Sequence, residues 1–369
     1  MKTLDQVEAR VPINAVNTPG TDSAVFRITA PGAYYLTGNV TGEPDKRGIS
    51  VAASANHVTI DLNGYALIGV PGSREGISTE SFSESKTISV VNGSVTGWAS
   101  HGLSLNFQAH VERVRAVGNG GNGIRCVSSA IIVDCFAAEN GDTGITTGLN
   151  SVVRSCTTRA NRVGLALNGG SLVSHSVASS NREIGISGSF GVKIFDCTVR
   201  DNGGDGIRAG STANIERCEI SLNKGAGIRV SERSKIKDCI VTLSGGTGST
   251  EPGIFAIART TVSGCVASLN AGFGIEVGGE SVVLENRASQ NGREGAAAGI
   301  RTTGSGSRIE GNHARDNTGT GILAGTGDVI IRNTAGNNSV ANYNPNTGPN
   351  FGPIQTPAAA TSPTANHEF

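Results

Sequence analysis

Aromatic residues are scarce in this sequence: one Trp, four Tyr and ten Phe among 369 residues. So few rings argue against a long sugar groove paved with stacking platforms. Net charge is zero, which argues against nucleic acid or an anionic membrane surface as the main partner. No apolar run approaches the roughly 18 residues of a membrane span, so none is expected. The opening MKTLDQVEARVPIN has no apolar core of a signal peptide, so a secreted protein would have its leader absent from this numbering. There is no C-x-x-C and no His pair at ligand spacing, so no metal site is expected.

Glycine, in contrast, is abundant, with 53 residues. The stretch DNGGDGIRAG at 201–210 looks at first like a calcium or phosphate loop. Gly203 stands where a calcium loop needs an oxygen ligand and Thr212 where it needs Glu, and no helical period follows Gly206 as a phosphate loop requires. The stretch is instead one copy of a repeat. Gly followed by Ile or Leu occurs at 102, 123, 144, 164, 185, 206, 227, 253, 274, 299 and 321. An asparagine precedes most of these glycines by four residues, as at Asn119, Asn140, Asn181, Asn202, Asn223 and Asn270. Five residues earlier runs a second row that includes Cys135, Cys156, Cys197, Cys218, Cys239 and Cys265 and passes into Asn286, Asn312 and Asn333.

A period of about 21 residues without helical pattern predicts three short strands per coil, each coil stacked on the last at about 4.8 Å. Identical positions then become columns, one running through Ile124, Ile145, Ile207, Ile228, Ile254, Ile275, Ile300 and Ile322, another through Ile132, Val153, Ile215, Ile236 and Val262. The asparagine row is expected to bond its amides along the axis, and glycine to supply the turn conformations. Cysteines stacked with parallel Cβ vectors suit a disulfide poorly, so free buried thiols are expected. The five other histidines, His57, His101, His110, His313 and His367, share no repeat position with one another and read as structural. Trp98 and Phe107 read as packing near the first coils.

The N-x-x-x-G-I and I-x-x-C repeats over roughly residues 100–340, with ITAPGAYYLTGNVTG and VTIDLNGYALIGVPGS before them, resemble the right-handed parallel β-helix repeat proteins with a pectin-lyase-like fold, and among them secreted bacterial members. That resemblance implies an all-β, single-stranded right-handed parallel β-helix. Residues 1–45 are expected to cap the first coil, with Val7 and Val11 on a short helix, residues 46–340 to form the β-helix, and 341–369 to be an extended tail on the last coil. The fold hosts lyases, hydrolases, epimerases, tailspikes and proteins without assigned activity, so it does not choose among them.

Function must come from the outward rows. The residue after the repeat Ile gives Arg208, Arg229, Phe255, Glu276 and Arg301, flanked by insertions at 244–253 and 291–299, with another at 69–76. Guanidinium groups beside an aromatic platform suit an acidic sugar chain, through carboxylate pairing and ring stacking. The residue before the cysteine row gives His175, Asp196, Arg217 and Asp238 on successive coils. There His175 or Arg217 is the candidate base, and Asp196 with Asp238 the candidate cation holders or, at about 9.6 Å, an inverting carboxylate pair. Alternating charges in a plain stabilising ladder give the same pattern.

Two readings follow. In one, a secreted or cell-surface protein binds an acidic polysaccharide and acts on it as lyase, hydrolase or epimerase; no cofactor is required, calcium entering only for a lyase. In the other, the β-helix is a non-catalytic surface, adhesion or spacer module. Oligomeric state is not legible in the sequence.

Overall fold

The computed structural model describes residues 10–80, 87–345 and 350–369. Among them the structure is almost entirely β, with one short 3-10 turn at Pro357–Ala359. The chain divides into two compact units, Met1–Val177 and Ala178–Phe369. Each is a right-handed parallel β-helix with coils of about 21 residues. Val7 lies outside the described residues, and Val11 is in a short strand, Val11–Pro12, not a helix.

In the first unit Ala24–Ile28, Arg47–Val51, Ile77–Thr79, Leu103–Leu105, Ile124–Cys126, Thr143–Thr147 and Val163–Leu167 each pair parallel with the next. Val11–Pro12 pairs with Gly32–Tyr35, which pairs with Val58–Asp61, so residues before 46 contribute strands of their own. Trp98 is fully buried beneath this wall, and its indole N–H donates to the Leu67 carbonyl at 3.3 Å.

In the second unit the columns align as the repeat predicts. Ile207 pairs with Ile228, Ile228 with Ile254, Ile254 with Ile275, and Ile275 with Ile300, all fully buried. A second wall stacks Ile215, Ile236, Val262 and Val283. A third inward column narrows along the chain from Val199, Ile220 and Val241 to Ala267, Ala288, Ala314 and Ala335. β-Branched side chains stacked at strand spacing line much of the interior, and their burial is where most of the hydrophobic free energy arises.

The corners differ from the sequence-based expectation. Left-handed backbone there is supplied mainly by residues other than glycine: φ is 55° at Asp196, 52° at Arg217, 52° at Asp238, 58° at Leu222 and 53° at Leu243. That conformation costs an L-residue roughly 1 kcal/mol or more. The next residue compensates by turning a polar or thiol side chain into the corner. Asn202 Nδ2 donates to Asn223 Oδ1 at 2.9 Å and to the Ala178 carbonyl at 3.2 Å. The repeat glycines serve another purpose. Gly206 is not left-handed, and a Cβ there would stand 2.7 Å from Asn223 Nδ2, from the Gly227 carbonyl oxygen and from Ile220 Cγ2. Glycine is required because the corner amide of the next coil passes so close.

All seven cysteines are free and buried. Burial pushes the Cys126 thiol up to about 12. In the corner row the thiols bond to backbone; Cys218 Sγ, for example, lies 3.3 Å from the Glu216 carbonyl.

The ladders end in residues outside the period. Asn338 donates to Asn342 Oδ1 at 3.1 Å, and Asn333 to Asn366 Oδ1 at 3.1 Å. Asn366–Glu368 adds a parallel strand beside Thr334–Gly336. Tyr343 is buried, with its hydroxyl 2.9 Å from the Asn333 carbonyl oxygen and 2.8 Å from that of His367, and Phe351 meets its ring edge-on at 5.7 Å.

Candidate functional site

Strand register brings the predicted outward row together. Arg208 pairs with Arg229, Arg229 with Phe255, Phe255 with Glu276, and Glu276 with Arg301. Each side chain follows an inward isoleucine and therefore points away from the core. The row is not a line of isolated charges. Asp205, only 3 % exposed, accepts from Arg208 Nε at 2.8 Å and from Arg229 Nε at 3.0 Å with one oxygen, and from the Ala226 N–H at 2.9 Å with the other. Arg229 also pairs with Glu251, and its guanidinium lies over the Phe255 ring at 4.9 Å. Three coils beyond Arg229, Arg301 pairs with Glu276 at 3.4 Å and lies over the Phe273 ring at 4.7 Å.

Glu276 is the one acid among the five residues of this row, and it is largely buried. Burial pushes its carboxyl above the usual carboxylate range, against the opposing pull of Arg301 and Arg229. A half-buried carboxyl of raised proton affinity is suited to proton transfer.

The two insertions flank this row and are tied to each other. The Gly248 N–H donates to Glu294 Oε2 at 2.9 Å, and Arg293 donates to the Gly245 carbonyl at 3.1 Å. Between them lies a cleft of about 250 Å³ lined by Thr250, Ala271, Phe273, Gly295, Ala296 and Ala297. Asp205, Glu251 and Phe273 were not singled out from the sequence. The signal was available for Asp205 and Phe273, since both stand directly before a repeat glycine, where neighbouring coils carry Ala226, Pro252 and Ala298.

The other predicted row lies on the left-handed corner. His175, with φ of 50°, belongs to the first unit, and Asp196, Arg217 and Asp238 to the second. Arg217 grips Asp196 with two bonds, Nε to Oδ1 at 2.7 Å and Nη2 to Oδ2 at 3.0 Å, and approaches Glu216 at 3.3 Å. The Asp196 bonds raise the proton affinity of the Arg217 guanidinium further. Asp238 pairs with Lys237 at 3.5 Å on the exposed surface.

Among the described residues no group of three or more His, Cys, Asp or Glu side chains is disposed to hold a metal ion. No helix among them is long and apolar enough to cross a membrane.

Comparison with known proteins agrees with this architecture. Residues 182–340 match the family described as "Right handed beta helix region". Fold and match together define the class: this is a right-handed parallel β-helix protein. No curated protein sequence matches the chain. Among solved structures, the A-module of the mannuronan C-5 epimerase AlgE4 of Azotobacter vinelandii superposes with a TM-score of 0.64 at 17 % identity, over 76 % of this chain and 91 % of that one. The AlgE6 A-module of the same organism gives 0.47 at 14 % identity, over 93 % and 90 %. The catalytic domain of a GH87 α-1,3-glucanase, in complex with nigerose, gives 0.49 at 14 % identity, over 82 % of this chain and 64 % of that one. The likeness is one of fold.

Proposed function

We propose that this is a secreted or cell-surface protein that binds an acidic polysaccharide on the outer face of its second unit. The observation that carries the reading is the pair of arginines on one outward row, Arg229 over Phe255 and Arg301 over Phe273, beside the cleft between the two insertions. Carboxylates of the chain exchange with Glu251 and Glu276 for the guanidinium groups, and the phenylalanine edges receive the apolar faces of the sugar rings. The structural neighbour with the TM-score of 0.64 is named for epimerising mannuronan, and this supports a polyuronate as the first ligand class to try.

If the protein turns its ligand over, Glu276 is the proton-transfer group of this face, and His175, Asp196, Arg217 and Asp238 are the alternative row. Cleavage by elimination, hydrolysis and C-5 epimerisation are the three reactions, with calcium called for only by the first. The ion pairing within both rows favours a second reading, a non-catalytic adhesion or spacer module, because each charge already has a partner. A panel of polyuronates and neutral glycans separates the two. Binding is read by calorimetry, elimination by absorbance of the unsaturated product, and hydrolysis by reducing ends. Absence of binding to every member leaves the spacer.

A further inference from the structure

Leucine occupies the left-handed corner on three consecutive coils of the second unit. Leu222, Leu243 and Leu269 have φ of 58°, 53° and 57°. The Leu222 N–H donates to the Thr242 carbonyl and that of Leu243 to the Ser268 carbonyl, both at 3.2 Å, which stacks these corners one above another. On the other coils of this unit the same position holds Ser180, Asp201, Gln290, Asp316 and Asn337, all polar. Leucine has neither the tolerance of asparagine for that backbone nor a side chain that bonds to it. Burial does not explain the choice, since Leu222 is 49 % exposed and Leu243 and Leu269 are half-buried. Strained, exposed apolar residues repeated on neighbouring coils point to a contact surface.

Leu222 and Leu243 line a cleft of about 190 Å³ with Lys224, Gly245, Thr247 and Arg293. Its two charged side chains are both cations. Lys224 is exposed, and its stem passes Gly246, where an added Cβ would stand 3.6 Å from Lys224 Cβ and Cγ. Arg293 is fixed by carbonyls, Nε donating to Leu269 at 2.7 Å and Nη2 to Gly245 at 3.1 Å. Carbonyl partners hold the guanidinium in place and leave its charge uncompensated, with Nη1 still to donate. Among the described residues no carboxylate pairs with Lys224 or Arg293. Glu294, beside Arg293 in the chain, gives its Oε2 to the Gly248 N–H and does not line the cleft. The outward row is the opposite case, since Arg208, Arg229 and Arg301 each have an acid.

The two insertions join this corner cleft to the cleft beside the outward row. Thr247 lines the first and Thr250 the second, and Arg293 and Gly295 divide in the same way. Three residues of chain reach at most about 11 Å, so the clefts adjoin. A polymer lying in one meets the other across the tied loops.

We propose that the corner cleft is a second subsite for the acidic polysaccharide, in which a uronate carboxylate lies between Lys224 Nζ and Arg293 Nη1 and the C–H face of its ring rests on Leu222 and Leu243. Two cations without acids receive the carboxylate by charged hydrogen bonds, and the leucines give the ring an apolar seat that a bare anion cannot use. The subsite rests on the polysaccharide reading for its ligand class and uses no residue of the outward row.

The test follows leucine methyl resonances of the labelled full chain while trimers of galacturonate, mannuronate or glucuronate, or hexanoate, or inorganic phosphate, are added. The expected result is a shift of the Leu222 and Leu243 methyls with at least one uronate trimer. Lys224→Gln should weaken that response about tenfold or more, the worth of a charged hydrogen bond, and Lys224→Arg should restore it. Leu222→Asn should weaken the Leu243 response while the urea midpoint stays at the parent value or rises, because Asn tolerates the left-handed backbone. The Arg229→Ala/Arg301→Ala double variant should leave the trimer response in place. A lowered midpoint in Leu222→Asn makes the leucines structural and overturns the proposal, as does a response to hexanoate or phosphate equal to that of the trimers. Loss of the response in the double variant assigns it to the outward row and also overturns the subsite. Silent methyls while calorimetry records trimer binding reject the subsite and leave the proposed function standing, whereas silence in both rejects both.

Discussion

Asn202 and Asn223 stack one coil apart so that a single oxygen, Asn223 Oδ1, accepts both the Asn202 side-chain amide at 2.9 Å and the Asn202 backbone N–H at 3.1 Å. Asn223→Ala removes that oxygen and leaves the buried Asn202 backbone N–H and one of its two amide hydrogens without an acceptor, while the Ala178 carbonyl still receives the other. The expected loss is about 1 to 3 kcal/mol for each group left unsatisfied. Urea unfolding followed by circular dichroism measures it, and a variant as stable as the parent would show that the corner amides contribute nothing.

Glycines of two kinds should respond differently to substitution. Gly206→Ala places a Cβ 2.7 Å from backbone and side-chain atoms of the next coil, so about 1 to 3 kcal/mol or more of destabilisation is expected from overpacking. Gly118, with φ of 65° and no atom within 4 Å of an added Cβ, should accept Asn within about 1 kcal/mol, since Asn tolerates the left-handed region. Equal effects in the two variants would contradict the close-approach role.

The first unit should be acid-sensitive at one identifiable pair. Glu80 bonds Arg27 at 2.7 Å, and this bond, helped by Ser50 and opposed by burial, lowers the Glu80 carboxyl from 4.5 to about 2. A folded value below the unfolded one means that the unfolded chain takes up the proton first. The stabilisation is therefore complete above pH 4.5 and is lost as pH falls from there toward 2. The stability difference between parent and Glu80→Gln should shrink over that window, and a difference constant from neutral pH downward would remove the pair from the account.

On the proposed binding face, Arg229→Ala and Arg301→Ala should each weaken polyuronate binding, and added salt should weaken it in the parent. Exposed charge pairing is screened over about 8 Å at physiological ionic strength. Phe255→Ala should weaken binding with little change in the salt slope, because ring contact carries no net charge. Isothermal titration at several salt concentrations distinguishes these. A flat salt dependence in the parent would deny the role of the arginines.

The sequence by itself determined the period, the two apolar columns of the walls, the asparagine and cysteine rows and the outward row from Arg208 to Arg301. The physical reason is that parallel in-register stacking makes neighbours in space out of residues a fixed distance apart in the chain. A repeat in the letters is then a contact map. Tertiary structure alone decided what departs from that rule. The left-handed corners at residues such as Leu222 and Leu243 contradict local preference, because the coil imposes them and the buried ladder beside them compensates. Asn342 and Asn366 complete ladders although the tail moves them off the period, and Asn291 does so although an insertion parts it from its repeat glycine, since a loop's length does not constrain where its end returns. Glu251 reaches Arg229 from within an insertion, and Asn122 pins His101 through a backbone N–H that any residue but proline would carry. No residue type announces either contact, so both became visible only with the backbone in place.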